Sequence, residues 1–430
     1  MTISRRRLLL AGSAAAFSVA CSGTPAGRAS AAASATAQPR AAASAGASGR
    51  VPLRIGVVVP YTEQAVDVDI GSSQRRAADL YLKQRGGALA GRRVELVYSD
   101  ESTDPATDRV KVRDVLLGQE KVGLLMGGSA TATAYVMRDV ADAQHLVYLD
   151  TWAPANALTR ANGGCTPSCK STYVFRTSAS SWQLGQPLGA WVARSGRAQV
   201  VAVYADDAFG AETTAAFAEG LARYGGALTR KTAVPRGSDQ ATVVAQLKTQ
   251  GTKAVFAAFR TDDAEAFLTE WGKAGMRASG YALYGPGTLA DTEVLHAAKD
   301  AAAGVVTSHF WSPDLSNGEN KKLISDFRAE YKDDETGEPL APDGYAVAMW
   351  DAMAALEAAL TATSGATSDP AALVAALERV SFAGPRGRFA FDPATHDVVT
   401  DVRIREARLS GGAVANVVVD TVPKVADPGR

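Results

Sequence analysis

Catalytic and nucleotide-binding signatures are absent from this 430-residue chain. The first apolar run is followed by no GxGxxG; Gly56-Val-Val-Val-Pro-Tyr lacks the glycines that let backbone approach a pyrophosphate. There is no P-loop and no GxSxG nucleophile elbow, and no histidine has a Ser or Cys partner by motif. These absences disfavour a dehydrogenase, an NTPase and a serine hydrolase, and no cofactor is expected. Cysteine is scarce: Cys21, Cys165 and Cys169 are all there is. Histidine is hardly commoner, with His145, His296, His309 and His396 scattered along the chain. A zinc site is therefore disfavoured, since no second Cys pair exists to complete one. No run beyond residue 50 is long and apolar enough to span a bilayer, which takes ~20 residues.

Acidic residues are also missing from the first 50 positions, which hold six arginines. The rest of the chain carries 39 basic against 45 acidic side chains, a net of −6. A mildly acidic body without a basic stripe argues against a nucleic-acid partner.

What is present at the start is an export signal. Ser4-Arg5-Arg6-Arg7-Leu8-Leu9-Leu10 leads into an apolar stretch ending Ser18-Val19-Ala20. A basic start, a short apolar core and small residues before a cut site mark a secretory signal, here of the twin-arginine kind. Leu8 to Ala20 is 13 residues, too short for a membrane anchor. Cys21 directly after the small residues suggests a lipoprotein, cut before Cys21 and lipidated on it. Ser18 stands where a lipobox usually has Leu, Val or Ile, and Ser-Val-Ala also suits an ordinary signal peptidase, so both cleavages stay open. Residues 22–50, rich in Ala and Ser, cannot bury a core and read as a flexible tether. An exported chain sits in an oxidising compartment, where Cys165 and Cys169, in a loop of turn formers, are expected to pair.

About 380 residues remain, enough for two domains. From Leu53 short apolar runs alternate with longer amphipathic ones. Leu53 to Pro60 reads as a buried strand, Ser72 to Arg85 as a helix, Val94 to Tyr98 as a strand and Pro105 to Leu117 as a helix. The alternation restarts after residue 180, with strands at Val200 to Tyr204, Ala254 to Phe259 and Tyr281 to Tyr284. The pattern predicts an α/β fold of two doubly wound parallel-sheet lobes. Ligand sites of such sheets lie at the carboxyl ends of the strands, so both lobes can face one cleft that closes on a hinge.

The chain resembles the periplasmic-binding-protein type I family, the leucine-binding-protein-like substrate-binding components of ABC importers. The carriers are Arg54-Ile-Gly-Val-Val-Val-Pro, Arg75-Arg-Ala-Ala-Asp-Leu, Gly91-Arg-Arg-Val-Glu-Leu-Val-Tyr-Ser-Asp-Glu, Asp104-Pro, Tyr173-Val-Phe-Arg-Thr-Ser, Tyr204-Ala-Asp-Asp-Ala-Phe-Gly, Gly285-Pro-Gly and Gly384-Pro-Arg-Gly. Their order and spacing run from Leu53 to about Gly411. The resemblance implies two lobes joined by a three-crossover hinge: residues 52–176 and 307–378 in lobe 1, 177–306 and 379–422 in lobe 2. It also implies a monomeric, non-enzymatic receptor that closes on a small ligand and docks on a membrane permease.

Ligand positions follow from the same resemblance. Gly127-Gly-Ser-Ala-Thr matches the loop that holds the ligand carboxylate, making Ser129 and Thr131 candidate donors; an ordinary helix cap is the competing role. Asp150-Thr-Trp-Ala-Pro matches a second carboxylate-binding turn, with the Ala153 N–H as donor and Trp152 as a wall. Phe209 matches an aromatic lid from the second lobe, and Trp182 is a similar candidate; core packing competes for each aromatic. Amino-acid binders carry an acid in the loop after the Tyr281 strand, where it pairs with the ligand ammonium. Gly287 takes that position here, and Phe259-Arg260 brings a cation near the cleft. A buried ammonium without a carboxylate is costly. Pro385-Arg-Gly-Arg-Phe and Asp401-Val-Arg-Ile-Arg-Glu are similar to a branch linked to aromatic-compound uptake. The expected ligand is thus a small carboxylate, of the aromatic-acid or branched-chain amino-acid type. A sensor of the same fold reporting to a signalling partner is the alternative.

Overall fold

Short, strongly apolar runs build both sheets. The computed structural model describes residues 51–62, 67–160, 170–334, 336–410 and 412–429. Cys21, Cys165 and Cys169 lie outside the described residues.

Leu53–Val59 is buried at every position except the half-buried Arg54. A strand covered on both faces belongs inside a parallel sheet flanked by helices. The first sheet has six strands in the order Ala88–Leu89, Arg92–Asp100, Leu53–Val59, Leu124–Gly127, Tyr148–Asp150, Val174–Arg176. All its pairings are parallel except that of Ala88–Leu89, which forms an antiparallel edge. Strand alternation divides the core in two. Leu124 and Met126 face Met349, Met353 and Leu356 of the helix Gly344–Ala362, while Leu125 faces Val112, Leu116 and Met137 on the other side.

The second sheet has seven strands, ordered Ala413–Val425, Thr400–Ser410, Val306–His309, Ala282–Pro286, Ala254–Ala258, Gln199–Ala205, Ala227–Val234. The last five are parallel, and the first two add an antiparallel ribbon at the edge. On one face the helices Ser181–Arg194 and Ala208–Ala222 pack backbone to backbone. A Cβ on Gly189 would lie 2.0 Å from the Phe217 carbonyl oxygen, and one on Gly220 would lie 2.1 Å from that of Gln186. Only glycine permits this approach.

Chain turns are set by short polar caps. Asp104, Asp207, Asp239, Asp343 and Asp369 each accept a backbone N–H from the first turn of the following helix. The single helix expected over 105–117 is instead an α-helix, Pro105–Val110, continued by a π-helical segment, Lys111–Gln119. Two expected lobe boundaries also move. Val306–His309 is hydrogen-bonded into the second sheet, so the second crossover begins after His309 rather than at 307. Phe389, Phe391 and Val398 pack into the first lobe's core, so the last crossover lies nearer Thr400 than residue 379.

The hinge is stapled by two buried arginines. Arg176, at the end of the first lobe's last strand, pairs with Asp150 at 3.2 Å and with Asp397 of the third crossover at 3.0 Å. Arg386 sits in the turn between Ser381–Gly384 and Gly387–Ala390. It pairs with Asp351 at 2.5 Å, donates to the carbonyl of Thr177 at 2.6 Å, and lies 4.1 Å from the Phe310 ring centroid. It thereby touches the first two crossovers.

Candidate functional site

Strand ends decide what meets between the lobes. In both sheets the strand order reverses beside the sheet's first strand in sequence, Leu53–Val59 or Gln199–Ala205. In such sheets the ligand crevice lies outside the carboxyl ends of the strands. Asp67, Ser129 and Trp152 follow strands of lobe 1 there, and Phe209, Arg260 and Gly287 follow strands of lobe 2.

Trp152 and Phe209, candidate ligand walls by the resemblance, pack together. They share one apolar cluster with Ile70, Phe310 and Tyr345. The Trp152 ring lies 4.0 Å from that of Tyr345 in an edge-to-face arrangement and 6.3 Å from the rings of His309 and Phe310. Arg260 reaches over Phe209, its guanidinium carbon 5.7 Å from the ring centroid.

Arg260 also belongs to a cluster that joins the lobes. Asp67, from lobe 1, accepts from Arg236 at 3.0 Å and from the Thr261 hydroxyl at 2.9 Å, and its other oxygen lies 3.9 Å from Arg260. Burial opposes the charge of Asp67, but the arginines and Thr261 outweigh it and hold the carboxyl below its ordinary range. Asp67 and Thr261 both have left-handed backbones, at φ 63° and 48°. For a β-branched residue this conformation is strained, and such strain gathers at functional contacts.

Two of the three donors expected to hold a ligand carboxylate, Ser129 and the Ala153 N–H, are already engaged. Gly127 and Gly128, at φ 108° and 83°, turn the chain so that Ser129 and Ala130 face Glu101. Glu101 accepts from the Ser129 N–H at 2.9 Å, its hydroxyl at 2.8 Å and the Ala130 N–H at 2.7 Å. Burial pushes the Glu101 carboxyl up, these donors pull it down, and the balance lies at about 7. At the second turn Asp150 accepts from the Ala153 N–H at 3.0 Å. In both turns a carboxylate of the protein itself takes these donors. A donor-rich turn in a sequence does not reveal which acceptor will reach it.

Thr131, half-buried, opens the helix Thr131–Gln144. Two other candidates lie elsewhere. Phe259 is core, 5.1 Å from the Phe267 ring, because strand alternation turns it inward from Ala254–Ala258. Trp182 donates its indole N–H to Glu219 at 3.0 Å, on the helix that its own helix crosses.

Gly287 has unexpected neighbours. A Cβ there would meet the His309 ring at 2.0 Å and a terminal nitrogen of Arg405 at 2.9 Å. The position that bears an acid in amino-acid binders is therefore walled by an imidazole and a guanidinium. Asp291, Tyr345, His309 and Arg405 all escaped sequence reading. Arg405 alone left a trace, as a charge within the alternating run Asp401-Val-Arg-Ile-Arg-Glu.

A family model described as a periplasmic binding protein matches residues 52–413. The Leu/Ile/Val-binding protein homolog 6 of Brucella suis biovar 1 (strain 1330) is 25% identical over 381 residues, 88% of this chain and 93% of that protein. Among solved structures, the chain is similar to an ABC-transporter solute-binding protein of R. palustris in complex with benzoate. Their identity is 28% and the TM-score 0.78, over 88% of this chain and 99% of the other. The solute-binding protein of Rhodopseudomonas palustris BisB5 in complex with 3,4-dihydroxybenzoic acid is 26% identical at TM-score 0.79, again over 88% and 99%.

Proposed function

The chain belongs to the periplasmic-binding-protein family, and from that premise we propose that it captures a small aromatic carboxylic acid outside the cytoplasm and delivers it to the permease of an ABC importer. Members of this kind bind and release their solute without converting it. The observation that carries the choice of ligand is the cleft itself. Trp152, Tyr345, Phe209 and Phe310 offer flat apolar walls, and the position at Gly287 presents Arg405 and His309 instead of an acid. Aromatic walls match a benzoate ring. An amino acid's ammonium would meet a cation there and lose its counter-charge. The solute-binding proteins complexed with benzoate and with 3,4-dihydroxybenzoic acid support the same ligand class.

Isothermal titration separates the two classes. Benzoate and 4-hydroxybenzoate are expected to bind saturably at one site per chain, and leucine and valine to give no heat of binding. Tight leucine binding without benzoate binding would sink the aromatic-acid reading.

The signal of residues 1–20, Cys21 and the tether of residues 22–50 support attachment to the outer face of the cell membrane through a lipid on Cys21. Radiolabelled fatty acid should enter the wild-type protein and not Cys21→Ala; equal labelling of both would discard the anchor.

A further inference from the structure

We propose that the positive pole of this cleft, where the ligand carboxylate docks, is on lobe 2: the guanidinium of Arg405. This rests on the solute-binding reading above and assigns the end of the cleft that recognises the acid.

Arg405 is 2% exposed. It donates only to neutral oxygens: the Trp311 carbonyl at 3.0 Å, the Thr307 hydroxyl at 3.3 Å and the Gly287 carbonyl at 3.4 Å. Among the described residues no carboxylate forms an ion pair with it. The acid acting on it most strongly is Asp291, from beyond contact range, and burial pushes the guanidinium down to about 10. A buried charge without a partner costs several kcal/mol, on the order of the figure measured when one half of a buried pair is removed. The other buried arginines differ: Arg176 and Arg386 each contact a carboxylate directly.

His309 lies beside Arg405. Its Nδ1 is 3.1 Å from both the Trp311 N–H and the Trp311 carbonyl oxygen, contacts that suit either tautomer. Nε2 is buried and has no hydrogen-bond partner among the described residues. Burial, reinforced by Arg405 and Arg386, holds the imidazole well below its ordinary pKa, so it stays uncharged. Gly287 completes the pole, because any side chain there would occupy the space beside the Arg405 nitrogen. In lobe 1, Glu101 accepts from the Ser129 and Ala130 N–H groups and Asp150 from that of Ala153.

The test compares benzoate with benzamide, which keeps the ring and loses the charge. Wild type is expected to bind benzoate and to bind benzamide on the order of 100-fold more weakly, the scale of a buried charged hydrogen-bond partner. Arg405→Gln should lose about that factor for benzoate and little for benzamide, removing the discrimination. Arg405→Lys, which keeps the charge without the planar fork, should lose about tenfold. A purely structural arginine would lower the melting temperature and weaken both ligands equally. If Arg405→Gln does not fold, Arg405→Lys carries the same comparison, with reduced preference for the acid. Benzoate binding by Arg405→Gln at wild-type strength, or equal loss of both ligands, overturns this pole and leaves the aromatic-acid reading standing. Wild type that binds no aromatic acid overturns both.

Discussion

Arg386→Met is expected to lower the free energy of unfolding by ~3–5 kcal/mol, the usual cost of breaking a buried ion pair from one side. Asp351 is fully buried, and one of its oxygens already has no hydrogen-bond partner among the described residues. Removing the guanidinium would leave that carboxylate with no counter-charge, and would also free the carbonyls of Thr177 and Ser178 in the first crossover. Burial already raises the Asp351 carboxyl to about 6 with Arg386 in place. The loss should therefore be greater above pH 7, where the orphaned acid must ionise or stay neutral at a cost. The double variant Arg386→Met, Asp351→Leu is expected to recover most of the loss, because well-packed apolar residues often replace a buried pair without penalty. Urea denaturation of both variants measures this. A single variant within about 1 kcal/mol of wild type, the range typical of an exposed pair, would mean that Arg386 does not staple the crossovers.

The stapling arginines also mark where sequence reading stopped. The strands were legible because Leu53–Val59 and Ala254–Ala258 are continuous apolar runs, and helix starts were legible from Asp104-Pro105 and Asp369-Pro370, local signals within a few residues. The edge strand Ala413–Val425 was not, since it is mostly exposed and pairs through an irregular register with Thr400–Ser410. The candidate site is harder still, because its partners are far apart in the chain: Asp67 with Arg236, Arg405 with Gly287. Trp152 and Trp182 both sit in polar, Ser- or Thr-containing stretches. Only the direction of the chain at each strand or helix end sends one against Tyr345 and the other to Glu219. Family resemblance located the turns at Ser129 and Ala153 and the glycine at Gly287. It carried no information on Glu101 and Asp150 filling those turns, because an internal acceptor and a ligand acceptor ask for the same donors.

Trp152→Ala is expected to abolish measurable capture of benzoate at micromolar protein and to cost the empty protein ~3–5 kcal/mol of stability, the range for removing a buried large aromatic. The two effects have different origins, and Trp152→Phe separates them. The Trp152 ring is 4% exposed and meets the Tyr345 edge at 4.0 Å, so truncation leaves a void between the lobes. The loop itself should persist, because Asp150 still accepts from the backbone N–H of residue 153 and Arg176 still holds Asp150. Phenylalanine restores a flat ring and most of the packing, so Trp152→Phe should regain most of the stability. If Trp152 is a ligand wall, Trp152→Phe should still bind benzoate about tenfold more weakly, since a smaller face stacks less of the ligand. Ligand addition should also change indole fluorescence in wild type and far less in Trp152→Phe, although five other tryptophans remain in the chain. Should Trp152→Phe bind benzoate with unchanged affinity and an unchanged fluorescence response, Trp152 is packing alone. The ring of the ligand must then lie against Phe209 and Tyr345, nearer the Arg260 side of the cleft.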